Sequence, residues 1–447
     1  MLRQGRATVG LRRLPGFGAV KDSDERSLTE RRLPSSIKRW HPDVVSTALP
    51  WDQARRVAAA AARTLDPVAV RLEAALGCAL ANPIAALTDL PPFDSAAMDG
   101  YAVAGPSPWH LSDIDLRAGN EALTRLDPGT AVAIATGAAL PAGCDAVLRT
   151  EQAGIETALH GNRLFPLDPL TGLPDDSGSS LPPGTDVRPR GEECAEGEPL
   201  VPAGSIVTPA MLGLAAAAGY DALDVIPPPT VAVLVLGDEL LERGLPRPGR
   251  VRDALSPLVP PWLADLGARA NPPIRVPDTR QALLDEIEDS TADMIVTTGS
   301  TASGPVDFVH DVLDQLNARW IVDGVQVRPG HPMLLAVLLD GRPVVGLPGN
   351  PLAAVSGLVT LAAPVIATLR GVPVDDREVV LGVDVSSHPH DTRIIPVVVE
   401  DGQARPLRFD GPAMLRSLAL ADALVAIPPS GGLAGSPVTL LPVPVVR

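Results

Sequence analysis

Aromatic residues are scarce in this sequence: they make up 3% of its 447 residues, although hydrophobic residues make up 45%. The hydrophobic cores must therefore be built mainly from Leu, Val, Ile and Ala. Cysteine is also rare, and Cys78, Cys144 and Cys194 lack the spacing of a metal site. We interpret the three thiols as small buried apolar groups in a reducing cytoplasm. No apolar run reaches the roughly 18 residues needed to span a bilayer, so we expect no membrane contact.

Positive charge is unevenly distributed along the chain. The formal net charge is −16, which disfavours binding to nucleic acid and to anionic membranes. Residues 1–40, in contrast, contain ten basic and four acidic residues. We predict that residues 1–45 are a flexible basic extension, or that the start of the chain is assigned too early. A nucleic-acid-binding arm is less favoured, because only Phe17 and Trp40 accompany this charge.

Turn-forming residues are abundant, with 49 prolines and 40 glycines, and the most informative turn is the Gly- and Ser-rich loop 297–307. The apolar run Met294–Val296 predicts a buried strand before this loop. Apolar residues at helical spacing from Phe308 to Leu316 predict a helix after it. Backbone N–H groups at a helix N-terminus suit an anion, although an ordinary strand-to-helix turn has the same composition.

Residues 229–372 alternate between strand and helix patterns, which predicts an α/β domain. Glu239 follows the predicted strand Val231–Leu236, and Asp307 follows the strand that begins at Met294. Because both acids come just after strand carboxyl ends, we expect them at the ligand-binding edge of one sheet. Two carboxylates at that edge suit Mg²⁺, which binds a few acids together with phosphate oxygens.

Two helix starts can be predicted in the same region. Asp278 and Gln281 have the spacing of a capping box. Asn350 and Pro351 are typical of an N-cap and a first helical residue, and the apolar helix they start should run through Leu369. For the Gly-Leu-Pro-Gly-Asn-Pro stretch, capping alone and ligand binding are equally compatible with the residues.

The front of the chain combines a helical pattern with an acidic loop. Apolar residues at helical spacing, interrupted by Pro67, predict helix over residues 46–89. The next stretch, Leu90–Val103, presents Asp94 and Asp99 between Pro and Gly residues. Either these are the usual acids of a turn, or a rigid loop holds a carboxylate for a metal or a sugar hydroxyl. We expect short strands over 104–187 and an all-β region over 375–447.

Together these motifs resemble the MoeA family of molybdopterin molybdenumtransferases, which includes the corresponding domain of gephyrin. The resemblance extends over about residues 46–440 and depends on the order of the motifs, since no single motif is specific. The segments that carry it are 92–103, 136–151, 190–193, 237–240, 297–307, 328–332 and 346–351.

The resemblance implies a multidomain α/β and β fold. Its centre would be a MoaB/MogA-like three-layer α/β domain. An elongated helical and linker domain with an inserted small β-rich domain would precede it. A C-terminal β-barrel domain would help to complete the site across a homodimer. The implied boundaries are 1–45 for the extension, 46–103 and 188–228 for the first domain, 104–187 for the insertion, 229–372 for the molybdopterin-binding domain and 373–447 for the barrel.

The resemblance also implies the reaction, in which molybdate is inserted into adenylylated molybdopterin with Mg²⁺ and AMP is released. Molybdopterin-AMP and molybdate would be the substrates. The implied catalytic residues are Asp99, Glu239, Asp307, Arg328 and His331, and the implied metal ligands are Glu239, Asp307, Asp99 and Glu193. The implied cofactor-binding residues are Thr136, Gly299, Ser300, Thr301, Ser303, Gly304, Pro348, Gly349, Asn350 and Pro351.

The chain departs from the family pattern at its anion donors. Arg328 and His331 stand where the family has two lysines, and Ala353 stands where a Ser follows Gly-Asn-Pro. Each lost charge-assisted donor costs roughly 1.5–3 kcal/mol of anion binding. The other departures are Ser300, Ala302, Pro305 and the Gly-Pro-Ala sequence 411–413.

Three functions are therefore compatible with the sequence. The first is a working transferase with a rearranged oxyanion pocket, which the retained acids favour. The second is a paralogue that binds the pterin nucleotide as a scaffold without inserting the metal, which the lost donors favour. The third is a related α/β nucleotide hydrolase or adenylyltransferase, which the segment around Asp99 and the C-terminal β region disfavour.

Overall fold

A computed structural model describes residues 48–119, 125–158, 161–175, 177–299, 301, 308–374 and 377–444. The predicted basic extension, 1–45, lies outside these residues, as do the candidate residues Ser300, Ser303, Gly304 and Asp307. The described α-helices are α1 Trp51–Ala61, α2 Pro209–Ala217, α3 Leu255–Asp265, α4 Arg280–Asp289, α5 Val309–Gln315, α6 Pro351–Gly357 and α7 Ala363–Leu369.

A mainly parallel sheet of seven strands forms the centre of the chain. Along its longest strand, Val233 and Val235 face a core that contains α1, α3 and α6, while Leu234 and Leu236 face a core that contains α4 and α5. Helices thus cover both faces, and the predicted three-layer α/β arrangement is confirmed. The strand order is Arg269–Ala270, Thr230–Leu236, Met294–Thr298, Pro343–Leu347, Leu334–Val337 and Arg319–Asp323, and Ile274–Val276 also pairs with Thr230–Leu236.

The segment Pro351–Leu369, here called the buried helix, combines α6, a π-helical turn and α7. It has 19 residues and a mean hydropathy of 2.1, so the expectation that no apolar run is long enough to span a bilayer was wrong. Its most apolar part is 83% buried inside the protein. The reason for its composition is therefore packing on all sides, as in the core helix of a large domain.

The π-helical turn, Leu358–Ala362, leaves one carbonyl of the buried helix without a helical donor. The N–H of Ala363 donates to Leu358 O, five residues back, and Pro364 has no N–H to offer Val359 O. Arg55 of α1 supplies the missing donor, because its Nη1 lies 2.5 Å from Val359 O. This bond accounts for a charged side chain that is only 8% exposed.

The C-terminal region is a closed barrel of five strands, as predicted. The barrel closes because Thr392–Glu400 pairs with both Gln403–Pro406 and Ala423–Ile427. The strand Val325–Arg328 leaves the central region and pairs in parallel with Thr392–Glu400, which joins the barrel to the centre. The barrel strands in chain order are Arg377–Leu381, Thr392–Glu400, Gln403–Pro406, Ala423–Ile427 and Pro437–Pro442.

The front of the chain corrects the predicted helix over 46–89. Helix α1 ends at Ala61, and Val68–Arg71 is a strand that pairs with Ala222–Ile226. Pro67 removes a helical hydrogen bond, and the β-branched residues after it fit a sheet better than a helix. The small β-rich region has the strand order Ala153–Ala158, Gly161–Pro166, Trp109–Leu116, Thr130–Ile134, Gly100–Val103 and Ala146–Arg149. The domain boundaries themselves remain predictions.

The predicted capping box at Asp278 was wrong. Thr279 is the N-cap of α4, and its hydroxyl accepts a hydrogen bond from Ala282 N at 3.3 Å. Asp278 instead accepts from the N–H groups of Gly237 and Asp238, at 2.9 and 2.8 Å. The acid therefore connects two strand ends, a long-range contact that local spacing does not reveal.

The three thiols behave as the sequence indicates. Cys78 and Cys194 are buried, and Cys144 is partly buried. Burial raises the pKa of Cys144 to about 11 and also raises the pKa of Cys78. At neutral pH these groups therefore stay protonated and contribute to packing rather than to nucleophilic chemistry.

Replacing Arg55 tests the bond to the buried helix. Arg55→Met should lower the free energy of unfolding by about 1–3 kcal/mol, because it leaves the Val359 carbonyl buried without a donor. Urea unfolding would measure the loss. The control is Arg56→Met on the same helix, which removes an exposed ion pair with Asp52 and should cost about 0.5 kcal/mol or less. Equal losses in the two variants would contradict the proposed role of Arg55.

Candidate functional site

Two adjoining cavities lie at the carboxyl ends of the central strands. The first, here called the acidic cavity, has a volume of about 550 Å³ and contains the ends of three neighbouring strands. The second, here called the arginine cavity, has a volume of about 520 Å³ and lies between the central sheet and the barrel. Pro332, Pro348 and Asn350 line both cavities, so one ligand can extend from one into the other.

Strand register builds the acidic cavity. Val235 lies opposite Thr298, and Thr298 lies opposite Leu347, so the three strands end in one row. Gly299 follows this row with φ +86°, and a Cβ at that position would lie 3.2 Å from Leu236 O. Only glycine fits both the backbone conformation and the close approach. The sequence-based expectation that ligands bind at this edge agrees with where the cavity lies.

Glu239 is the available carboxylate of the acidic cavity. Asp278 is engaged by the two N–H groups described above, and Asp253 accepts from Leu255 N and Ser256 N at 3.0 Å each. The Glu239 side chain, in contrast, forms no hydrogen bond or ion pair with the residues that the structure describes, and it lines the cavity. A free carboxylate beside two engaged ones suits a cation shared with a ligand.

Two buried threonine hydroxyls lie at the same strand end. Thr297 and Thr298 are 0% and 1% exposed, and neither hydroxyl has a hydrogen-bond partner within the described part of the chain. Thr298 also lines the acidic cavity. A buried hydroxyl without a partner is costly, so Thr298 offers a polar contact to a ligand in this cavity. The Thr-Thr pair before the Gly-rich loop is the signal in the sequence for these two hydroxyls.

Two arginines face each other in the arginine cavity. Arg328 and Arg393 are paired positions of adjacent parallel strands, which brings their guanidinium groups to one wall. Arg328 Nε donates to Asp391 at 2.7 Å, and Arg393 forms an ion pair with Asp410. The side chain of Arg328 is 60% exposed, so it keeps donors available for a ligand. Each cation thus has its own acid, and only the remaining donors can contact an anion.

The N-terminus of the buried helix is occupied by the protein itself. The N–H groups of Leu352 and Ala353 both donate to Pro412 O, at 2.9 and 3.2 Å. Asn350 is the N-cap residue and Pro351 the first helical residue, as predicted, but the Asn350 side chain makes no capping hydrogen bond. A carbonyl from the barrel loop therefore takes the donors that an anion would use at this helix end.

Asp99, Thr136 and Glu193 lie away from both cavities. The N–H of Thr136 donates to Asp99 Oδ1 at 2.8 Å, so this acid connects two loops of the small β-rich region. Asp99 and Glu193 are exposed, and neither residue lines the acidic or the arginine cavity. A single chain thus does not bring these three residues to the other candidates.

The structure gathers most of the other candidates. His331 lies in the arginine cavity beside Arg328. Asp307, Ser300, Ser303 and Gly304 lie outside the described residues. Sequence reasoning did not identify the cavity acids Asp253, Asp278, Asp391 and Asp410 as site residues. Only the residues that lie next to them in the fold, and not their neighbours in the sequence, show that they line the cavities. The candidates that line the acidic cavity are Glu239, Gly299, Thr301, Pro348, Gly349, Asn350 and Pro351.

Comparisons with known proteins agree along the whole described chain. Residues 49–219 match the MoeA N-terminal region (domain I and II), residues 232–368 match a probable molybdopterin binding domain, and residues 378–443 match the MoeA C-terminal region (domain IV). Molybdopterin molybdenumtransferase 2 of Mycobacterium tuberculosis is 32% identical over 400 residues, which cover 84% of this chain and 94% of that protein. A molybdopterin molybdenumtransferase of Nostoc is 31% identical over 323 residues, which cover 68% of this chain and 70% of that protein.

A solved structure has the same architecture. The molybdopterin biosynthesis MoeA protein of Pyrococcus horikoshii superposes with a TM-score of 0.71 at 26% identity. The match covers 88% of this chain and 99% of the Pyrococcus chain. From the sequence matches over the whole described length and from this shared fold, we conclude that the chain belongs to the MoeA family of molybdopterin molybdenumtransferases.

Proposed function

We propose that the chain inserts molybdenum from molybdate into adenylylated molybdopterin, with Mg²⁺, and releases AMP. The observation that carries this proposal is the contact between the two cavities through Pro332, Pro348 and Asn350. The reaction needs one place for a pyrophosphate with its cation and a second, adjacent place for a tetrahedral oxyanion. The acidic cavity suits the first requirement, and the arginine cavity suits the second.

The donor set of the acidic cavity fits Mg²⁺. The described residues contain no group of three or more His, Cys, Asp or Glu side chains that could hold a metal by themselves. Mg²⁺ needs only one or two carboxylates when phosphate oxygens complete its shell. Glu239 would be one ligand, and Asp307, placed by sequence alone, the second. When bound, the cation would offset the charge of the pyrophosphate; Thr298 and the Gly299 loop would orient the nucleotide.

The arginine cavity would position the oxyanion. Arg328 and Arg393 lie on one wall, and His331 lies beside them. Guanidinium groups hold oxyanions in a fixed direction because their N–H donors form a planar fork. Their pairing with Asp391 and Asp410 keeps both groups in place before the oxyanion arrives. The role of these residues would be to bind and desolvate the oxyanion rather than to move protons.

The residues of the arginine cavity also favour a second candidate function, in which the chain is a paralogue that binds the pterin nucleotide without inserting the metal. Ala353 and Pro412 line the arginine cavity and offer no side-chain donor. Pro412 O also occupies the helix N–H groups that would otherwise bind an anion. The nucleotide hydrolase or adenylyltransferase is the weakest candidate, because such a domain would need neither the barrel nor the front segment.

A homodimer would give the remaining acids a role. Asp99 and Glu193 are exposed and lie away from the cavities of their own chain, so a second copy could present them to the site. We propose this arrangement together with a cytoplasmic location, which suits the three reduced cysteines.

Glu239 provides the first test. Glu239→Gln should lower Mg²⁺-dependent AMP release on the order of 100-fold, because the amide cannot offset the cation charge. Circular dichroism should show an unchanged fold. The matched control is Glu242→Gln, three residues away and outside the cavity, where the acid pairs with Arg275. Normal turnover by Glu239→Gln would contradict the proposed role.

Molybdate dependence provides the second test. In a bacterial strain that lacks its own MoeA protein, the chain should restore molybdoenzyme activity only when molybdate is raised, because its pocket has fewer donors. The double variant His331→Lys with Ala353→Ser should lower the molybdate requirement. Full rescue by the unmodified chain at trace molybdate would show that the pocket is not weakened. Failure at both levels, with the pterin nucleotide still bound, would support the scaffold function.

Mixed dimers provide the third test. If a partner subunit supplies Asp99 to the site that contains Glu239, then Asp99→Asn and Glu239→Gln should each be inactive alone. Mixing and reassociating the two should restore about a quarter of wild-type AMP release, since half the dimers would contain one intact site. As the control, the Glu239→Gln variant is dissociated and reassociated alone, and it should stay inactive. No recovery, with mixed dimers verified by mass, would place Asp99 outside the site.

A further inference from the structure

A third cavity, of about 510 Å³, lies where α1, the end of the buried helix and the barrel meet. It shares no lining residue with the acidic or the arginine cavity. Most of its wall is apolar, with Ile206, Leu266, Val372 and Leu441 among the lining residues. Its position between elements of three regions is typical of small-molecule sites. Neither the family matches nor the proposed reaction gives this cavity a role.

Basic side chains outnumber acidic ones among the described residues that line the third cavity. These residues include Arg55, Arg370 and Arg377, and Asp265 is the one acid among them. Arg55 is engaged by the Val359 carbonyl and lies over the Trp51 ring, with its Cζ 5.1 Å from the ring centroid. The carbonyl and the aromatic ring both stabilise the charge of Arg55, whereas no described carboxylate forms an ion pair with Arg370.

Arg370 is the cation with the least compensation. Its Nη1 and Nη2 donate to the backbone carbonyls of Leu266 and Gly77, each at 3.2 Å. Its Nε is shielded from solvent and has no hydrogen-bond partner in the described part of the chain. Burial lowers the pKa of this guanidinium, because a buried group loses the water that stabilises its charged form. Neutral carbonyls orient the group, but no described acid is its counterion, and a partly buried charge without one is costly.

We propose that the third cavity binds a small amphipathic anion, whose carboxylate or phosphate head contacts the guanidinium of Arg370 and whose apolar body fills the rest of the cavity. The head would accept from the guanidinium N–H groups and supply a counterion. The body would contact Ala363 and Ala367 of the buried helix, which present small side chains to the cavity. This site is independent of the proposed transfer reaction.

Octanoate and octyl phosphate are suitable probes, and neutral octanol is their matched control. Isothermal titration of the full chain should detect binding of at least one anion, and that anion should raise Tm, because a ligand that binds only the folded state stabilises it. The tighter of the two anions identifies the preferred head group. Octanol should bind at least about tenfold more weakly, since it cannot compensate the buried charge.

Two variants separate the parts of the proposal. Ala367→Leu should fill the cavity and abolish binding while it leaves the carbonyl contacts of Arg370 intact. Arg370→Met should remove the preference for an anion over octanol; if this variant does not fold, Ala367→Leu alone decides. No heat and no rise in Tm with either anion, or unchanged binding by Ala367→Leu, would refute the site. Binding that survives in Arg370→Met with the anion preference intact would refute the role of Arg370.

Discussion

The hydrogen bond from Arg55 to Val359 O is the contact on which the rest of the chain depends, because it allows a very apolar helix to carry a π-helical turn in its middle. Without an outside donor, the turn and Pro364 would leave a carbonyl unsatisfied in the core. With it, the helix stays continuous from the candidate site to the third cavity. Helix α1 is thereby fixed against the buried helix, together with the bonds from Trp51 Nε1 to Thr360 and from Thr368 to Ala59 O.

Continuity of the buried helix also explains how the barrel contributes to the site. Pro412 O closes the first turn of the helix, and the Val325–Arg328 strand joins the barrel sheet at Thr392 and Arg393. The barrel is therefore attached to the centre through this hydrogen bond and this strand pairing, in addition to the core that Ile394, Leu424 and Leu441 share with the buried helix. This attachment fixes the distance between Arg328 and Arg393 more firmly than the loops alone would. Precise placement of two like charges requires such rigidity, because they repel each other.

Local sequence patterns predicted the central domain, since alternation of strands and helices and the positions of Glu239 and Gly299 follow from short-range rules. For the C-terminal region they predicted only strands, and the barrel was implied by the family resemblance. Pairings that depend on distant residues were not predictable. The capping box failed because Asp278 contacts residues about 40 positions away. The helix over 46–89 failed because tertiary pairing with Ala222–Ile226 outweighs its apolar spacing. The acids that hold Arg328 and Arg393 were missed for the same reason.

The hydrogen bonds of Pro412 O to the helix N-terminus limit which donors the proposed oxyanion site can use. In a net-acidic protein, an anion must be held by local donors, and the described residues contain arginine but no lysine. A helix end offers directed N–H groups, but here a carbonyl competes for them at 2.9 and 3.2 Å. In the proposed site, an incoming oxyanion would therefore meet side-chain donors first. Displacing Pro412 O would release two backbone donors at once, but it would also free the barrel loop from the buried helix. In the proposed site, affinity for the oxyanion would thus be coupled to the position of that loop, which side-chain substitutions alone would not produce.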